Sequence, residues 1–115
     1  MNMVCRNRKF KLEDAANSTL YDRSYEQDPS SHESRWSNRV FRDEKTGALL
    51  IPTPEYMLGI NVNGTFNSMS NIIENKRERP NEAYRKTTRH ELYHAEGNNE
   101  YTTRFKNNDP WMNYN

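Results

Sequence analysis

An α+β fold, in which short antiparallel strands pack beside one long helix, is predicted by three features of this 115-residue chain. Two apolar segments interrupted by glycine-containing turns occupy residues 39–51 and 56–73. A helical pattern then runs from Pro80 to Glu96, and Gly97 stops it. Strands first and a long helix after them point to α+β rather than to alternating βαβ units.

Residues 1–38 are polar and weakly periodic and read as an N-terminal arm before a compact domain at 39–115, one domain overall at this length. Within the arm, Lys11 to Tyr21 carries a narrow apolar stripe at helical spacing, Leu12, Ala15, Ala16 and Leu20, and Asp28-Pro29-Ser30-Ser31 marks a turn. Arg39-Val40-Phe41-Arg42 and Ala48-Leu49-Leu50-Ile51 flank Asp43-Glu44-Lys45-Thr46-Gly47, which predicts a hairpin whose second strand is broken by Pro52 and Pro54. A second hairpin is predicted from Tyr56 to Val62, an Asn63-Gly64 turn of type I′, and Thr65 to Ile73. Pro80 suits the first position of the helix, where its missing N–H costs nothing, and Gly97 suits the left-handed residue that ends it.

Composition narrows the function. Seventeen Lys+Arg against sixteen Asp+Glu leave a net charge of +1, without the basic excess of a nucleic-acid binder or a membrane-surface protein. Met1 to Lys11 is basic and holds no apolar stretch of signal-peptide length, and no run approaches the roughly 18 residues needed to span a bilayer, so a soluble chain is expected. With one cysteine, Cys5, there is no disulfide framework and no thiolate pair for a metal, and Cys5 reads as a lone free thiol. Only 32% of the residues are hydrophobic, so the core is expected to be small and a bound metal to contribute to folding. Asn17-Ser18-Thr19 and Asn63-Gly64-Thr65 match glycosylation acceptors, as short motifs often do by chance in an asparagine-rich chain.

The informative chemistry lies in His90-Glu91-Leu92-Tyr93-His94, continued by Ala95-Glu96-Gly97-Asn98-Asn99-Glu100. Histidines four residues apart project from one face of a helix and can hold one Zn²⁺ together. Glu91 lies beside the first of them and cannot easily join the same tetrahedral site, but it can act as general base on a metal-activated water. Gly97 lets the chain turn sharply, so that Glu100 can fold back as the third ligand, whereas Glu96 points to another face. The full pattern arises by chance about once in 10,000 chains of this kind, so the motif outweighs the bland reading of a charged helix face. The third histidine, His32, stands with Glu33 in a polar segment without partner spacing and reads as surface.

At these residues the chain resembles the zincin metallopeptidases, and within them the metzincins, whose pattern is H-E-x-x-H-x-x-G-x-x-H followed by a methionine-containing turn. Glu100 stands where the last histidine would be; secreted snapalysin-type members are similar in carrying a carboxylate there. Asp109-Pro110-Trp111-Met112-Asn113-Tyr114 resembles the methionine turn, and Tyr114, two residues after Met112, matches the tyrosine that astacin-like members bring to the metal or the oxyanion. The resemblance covers about the last third of the chain, which is short before and after the motif; in size it looks more like compact metallopeptidase domains of bacterial effectors and polymorphic toxins.

The resemblance implies a zinc endopeptidase with His90, His94 and Glu100 as ligands, Glu91 as base and Tyr114 as a catalytic residue. It also implies a protein or peptide substrate bound to an edge strand, either Tyr56 to Val62 or Thr65 to Ile72. An inhibitor or immunity partner, and an origin as a domain of a longer secreted or delivered bacterial protein, belong to the same expectation. Tyr93 and Tyr101 read as packing residues. The chemistry alone also admits a zinc hydrolase acting on another amide, or a structural zinc module closed by a fourth ligand.

Overall fold

The computed structural model describes residues 8–13 and 28–109. In chain order they form β1 (Phe10–Leu12), α1 (His32–Trp36), β2 (Phe41–Asp43), β3 (Leu49–Thr53), α2 (Glu55–Leu58), β4 (Gly64–Asn67), β5 (Ile72–Lys76), α3 (Asn81–Ala95) and α4 (Glu100–Asn107). The five strands make one sheet in the order β1-β2-β3-β5-β4. The α+β class stands. The sheet, however, is mixed rather than antiparallel, because β5 inserts between β3 and β4 and runs parallel to β3, with Leu49 opposite Ile72 and Thr53 opposite Lys76.

The first hairpin forms where expected. Asp43 accepts hydrogen bonds from the Thr46 backbone N–H (3.0 Å) and hydroxyl (2.6 Å), and Gly47 takes φ +76°, a left-handed value that glycine adopts without a Cβ penalty. Strand β3 runs through Pro52 to Thr53 instead of breaking at Pro52. Its pairing with β2 ends at Leu50, so beyond that point only β5 requires N–H donors from β3, and the ladder spares Pro52. Pro54 then caps the short α2.

The second hairpin is displaced from its predicted position. Residues 55–58 are helical, and the turn falls at Ser68–Asn71 between β4 and β5. There the Asn67 side chain accepts from the backbone N–H groups of Met69 (2.9 Å) and Ser70 (3.1 Å), and Asn71 takes φ +60°. Gly64 serves close packing rather than a turn: a Cβ on it would lie 2.6 Å from Asn75 Oδ1 and 2.6 Å from Thr87 Cγ2. Glycine therefore lets β4 pass directly against α3, and this approach brings the β4 edge to the motif helix.

The stretch read as a polar arm supplies two elements. Lys11 and Leu12, expected in a helix, extend β1, whose Phe10 and Leu12 pair with Asp43 and Phe41; residues 14–27 lie outside the described range. Phe10 joins Phe41, Ala48, Leu50, Ile73 and Leu92 in the core, with Leu12, Phe66 and Ala95 packed against it. The narrow stripe Tyr84, Thr88 and Leu92 turns α3 towards the sheet, and its middle member makes a polar bridge, with Asn75 Nδ2 donating to Thr88 Oγ1. Buried Arg35 of α1 donates to the carbonyls of Arg77 (3.0 Å) and Arg79 (2.5 Å) and stacks over Tyr84, which fixes the loop entering α3. Among the described residues no helix is long and apolar enough to cross a membrane.

Candidate metal centre

Helix α3 carries the motif in its last turns, with His90 and Glu91 only 2% and 5% exposed. Pro80 is the N-cap rather than the first helical residue. Gly97, at φ +101°, ends the helix, its N–H donating to the His94 carbonyl at 2.9 Å. No atom lies within 4 Å of where its Cβ would be, so backbone conformation alone asks for glycine. The chain then enters α4, an element the periodicity did not predict. Asn99 caps it by accepting from the Thr102 N–H (2.8 Å), and Glu100 stands in its first turn. The third candidate ligand therefore comes from a second helix and not from an irregular return loop.

His90, His94 and Glu100 each bring one ligand atom to a common point, all within 4.8 Å of one another. Glu100 Oε1 lies 3.4 Å from His90 Nε2 and 2.8 Å from His94 Nε2. Tetrahedral ligands about 2.0–2.1 Å from a zinc ion stand about 3.3 Å apart, so one of these separations suits coordination directly. The other is a hydrogen-bond length and requires an opening of about half an ångström.

The far nitrogens of both rings are engaged. His90 Nδ1 lies 2.7 Å from Asp109 Oδ2, and His94 Nδ1 lies 3.0 Å from the Asn98 carbonyl oxygen. A neutral imidazole carries one N–H. With that proton on Nδ1, a neutral ring leaves its Nε2 lone pair open to a metal ion, and a ring carrying protons on both nitrogens donates from Nε2 to Glu100 Oε1. The donor set, two imidazoles and one carboxylate, is one that zinc accepts.

Asp109 is a partner that the sequence pattern does not reveal, since the resemblance places it only at the start of the methionine turn. Its carboxylate is 5% exposed, accepts from Asn107 Nδ2 (3.1 Å) and lies 3.6 Å from Lys86 Nζ. No short-range pattern links it to His90, nineteen residues away. Arg104 is a second missed neighbour: its Nε donates to Glu100 Oε2 at 2.5 Å. That pair had a visible signal, Glu and Arg at i, i+4 behind a capping asparagine.

Burial raises the Glu91 carboxyl above the usual carboxylate range, although the two histidines pull it the other way. Burial also opposes ionisation of Glu100, but its hydrogen bonds with Arg104 and His94 outweigh this and hold it below that range. Both carboxylates face a cleft of about 450 Å³ lined by Phe66, Ser68, His90, Glu91, His94 and Glu100. Phe66 comes from β4, the terminal strand of the sheet, so the cleft lies between a sheet edge and the motif helix.

Glu96 turns away, as expected, and pairs with Arg8 and with Lys45 (3.3 Å). Those residues border a different cleft of about 490 Å³ with Arg89, Leu92 and Tyr93, which contains no candidate metal cluster among the described residues. His32 is exposed on α1. Cys5, Met112 and Tyr114 lie outside the described residues. Comparison of the chain with protein-family models, with curated proteins and with solved structures gives no match, so the functional reading rests on the residues themselves.

Proposed function

We propose that the chain is a zinc-dependent endopeptidase with His90, His94 and Glu100 as the metal ligands and Glu91 as the general base. The observation that carries this reading is the convergence of His90 Nε2, His94 Nε2 and Glu100 Oε1 on the cleft that Glu91 also lines. Zinc supplies two effects when bound in such a set: it polarises a carbonyl and lowers the pKa of water from 15.7 towards about 7.

The protein residues divide the remaining work. Asp109 and the Asn98 carbonyl fix the orientation of the two imidazoles and keep both Nε2 atoms directed at Glu100. Glu91, buried and with its proton affinity raised, takes the proton of the attacking water at its carboxylate and passes it to the leaving amine. Three protein ligands leave room for substrate, as catalytic zinc sites require.

Substrate is read as an extended peptide lying along the outer edge of β4, Gly64–Asn67, the strand whose Phe66 lines the cleft. The other candidate segment, Tyr56 to Val62, contains α2 and offers no strand edge. An exposed edge binds peptide through main-chain hydrogen bonds and reads side chains at alternate positions. Tyr114 is kept, by resemblance alone, as the candidate for oxyanion stabilisation.

The test compares wild type with Glu91→Gln, each loaded with one equivalent of zinc and assayed on an unfolded protein and on a panel of small amides. Wild type is expected to cleave the polypeptide. The variant is expected to retain zinc and lose about 100-fold or more in rate. Cleavage confined to the small amides would reassign the substrate class, and undiminished activity in the variant would remove Glu91 from the mechanism.

A further inference from the structure

Glu100 is held at both oxygens, and the two contacts differ in kind. Oε1 faces the histidines, 2.8 Å from His94 Nε2 and 3.4 Å from His90 Nε2, while Oε2 accepts from Arg104 Nε at 2.5 Å. A carboxylate can bind a cation through one oxygen or both, and an isolated glutamate at a helix start has the rotamer freedom to choose. Here the choice is restricted by the helix, because Glu100 and Arg104 are four residues apart on α4 and therefore neighbours on its surface.

An exposed pair of this kind contributes little. This one is different: the Arg104 side chain is 12% exposed, so its guanidinium is packed in place, while Glu100 remains 43% exposed. The more buried arginine holds the more exposed carboxylate.

We propose that Arg104 is a positioning residue that commits Glu100 Oε2 and restricts Glu100 to one-oxygen ligation, a role that rests on the metal-site reading above. One-oxygen ligation matters chemically. With two imidazoles and one carboxylate oxygen the protein fills three positions, and a fourth remains for water or a substrate carbonyl. A two-oxygen contact would crowd that position and move coordination towards five.

The experiment replaces zinc by cobalt(II) in the full chain and records the visible spectrum, whose intensity distinguishes four-coordinate from five-coordinate ions. Arg104→Met retains the apolar stem without a donor, and Arg104→Lys keeps the charge but loses the planar fork. Circular dichroism identifies any variant that fails to fold; if Met fails, Lys carries the test. The expected result is a band weakened by about twofold or more for Met, with Lys between Met and wild type. Zinc affinity is expected to fall about tenfold in the Met variant.

A folded variant with the wild-type spectrum and affinity would overturn the role of Arg104 while leaving the metal site intact. A wild-type protein that takes up neither cobalt nor zinc would overturn the metal reading itself, and the positioning role with it.

Discussion

Replacing Asp109 should weaken metal binding although Asp109 is not itself a candidate ligand. Its Oδ2 lies 2.7 Å from His90 Nδ1, with the two side chains 5% and 3% exposed, so solvent cannot readily substitute for the contact. Loss of such an outer carboxylate typically costs 10–100-fold in metal affinity, about 1.4–2.7 kcal/mol. Asp109→Ala belongs at the upper end of that range, because it removes both the charge and the acceptor oxygen that lies 2.7 Å from His90 Nδ1. Asp109→Asn keeps an acceptor oxygen and loses the charge, so it belongs near tenfold.

The assay is a competition titration of zinc against a chromophoric chelator, with thermal unfolding of the metal-free protein alongside. An Asp109→Ala protein within about twofold of wild-type affinity would refute the argument that this carboxylate orients His90.

Three further outcomes follow from the same geometry. Metal-free Glu91→Gln should be more stable than metal-free wild type at neutral pH and equal to it in acid. Burial raises the folded-state pKa of Glu91, so the carboxyl favours the folded state most below its unfolded value and loses that contribution as pH rises through the folded value; melting curves across that range test the sign. Gly64→Ala should cost about 1–3 kcal/mol in chemical denaturation, since its Cβ would meet both Asn75 and Thr87 at 2.6 Å. Asn99→Ala should destabilise by about 1 kcal/mol through loss of the α4 cap, and should also lower zinc affinity because Glu100 stands in the capped turn.

What could be read from the sequence was local. The α3 span, its end at Gly97 and the first hairpin follow from patterns contained within about fifteen residues, and so does the spacing of His90, Glu91 and His94. The second hairpin slipped because Asn63-Gly64 carries a strong turn signal, whereas Gly64 is there to let β4 approach α3 and Asn67 makes the turn. The parallel β3–β5 pairing, the strand at Phe10–Leu12 and the Asp109–His90 contact depend on partners far apart in the chain. No periodicity records such partners. Helix α4 has no apolar periodicity to read because its apolar residues Tyr101 and Phe105 are exposed and give it no buried stripe, although the Asn99 cap and the Glu100–Arg104 pair are legible.

The most direct measurement is zinc stoichiometry and thermal stability of the purified chain beside a His94→Ala variant. The account predicts one zinc per wild-type chain, with unfolding stabilised by about 2.7 kcal/mol when free zinc is 100 times its dissociation constant. It predicts neither effect at that zinc concentration for His94→Ala. Wild-type protein that binds no zinc, or a variant that binds it equally well, would contradict the assignment of His90, His94 and Glu100 as a metal centre.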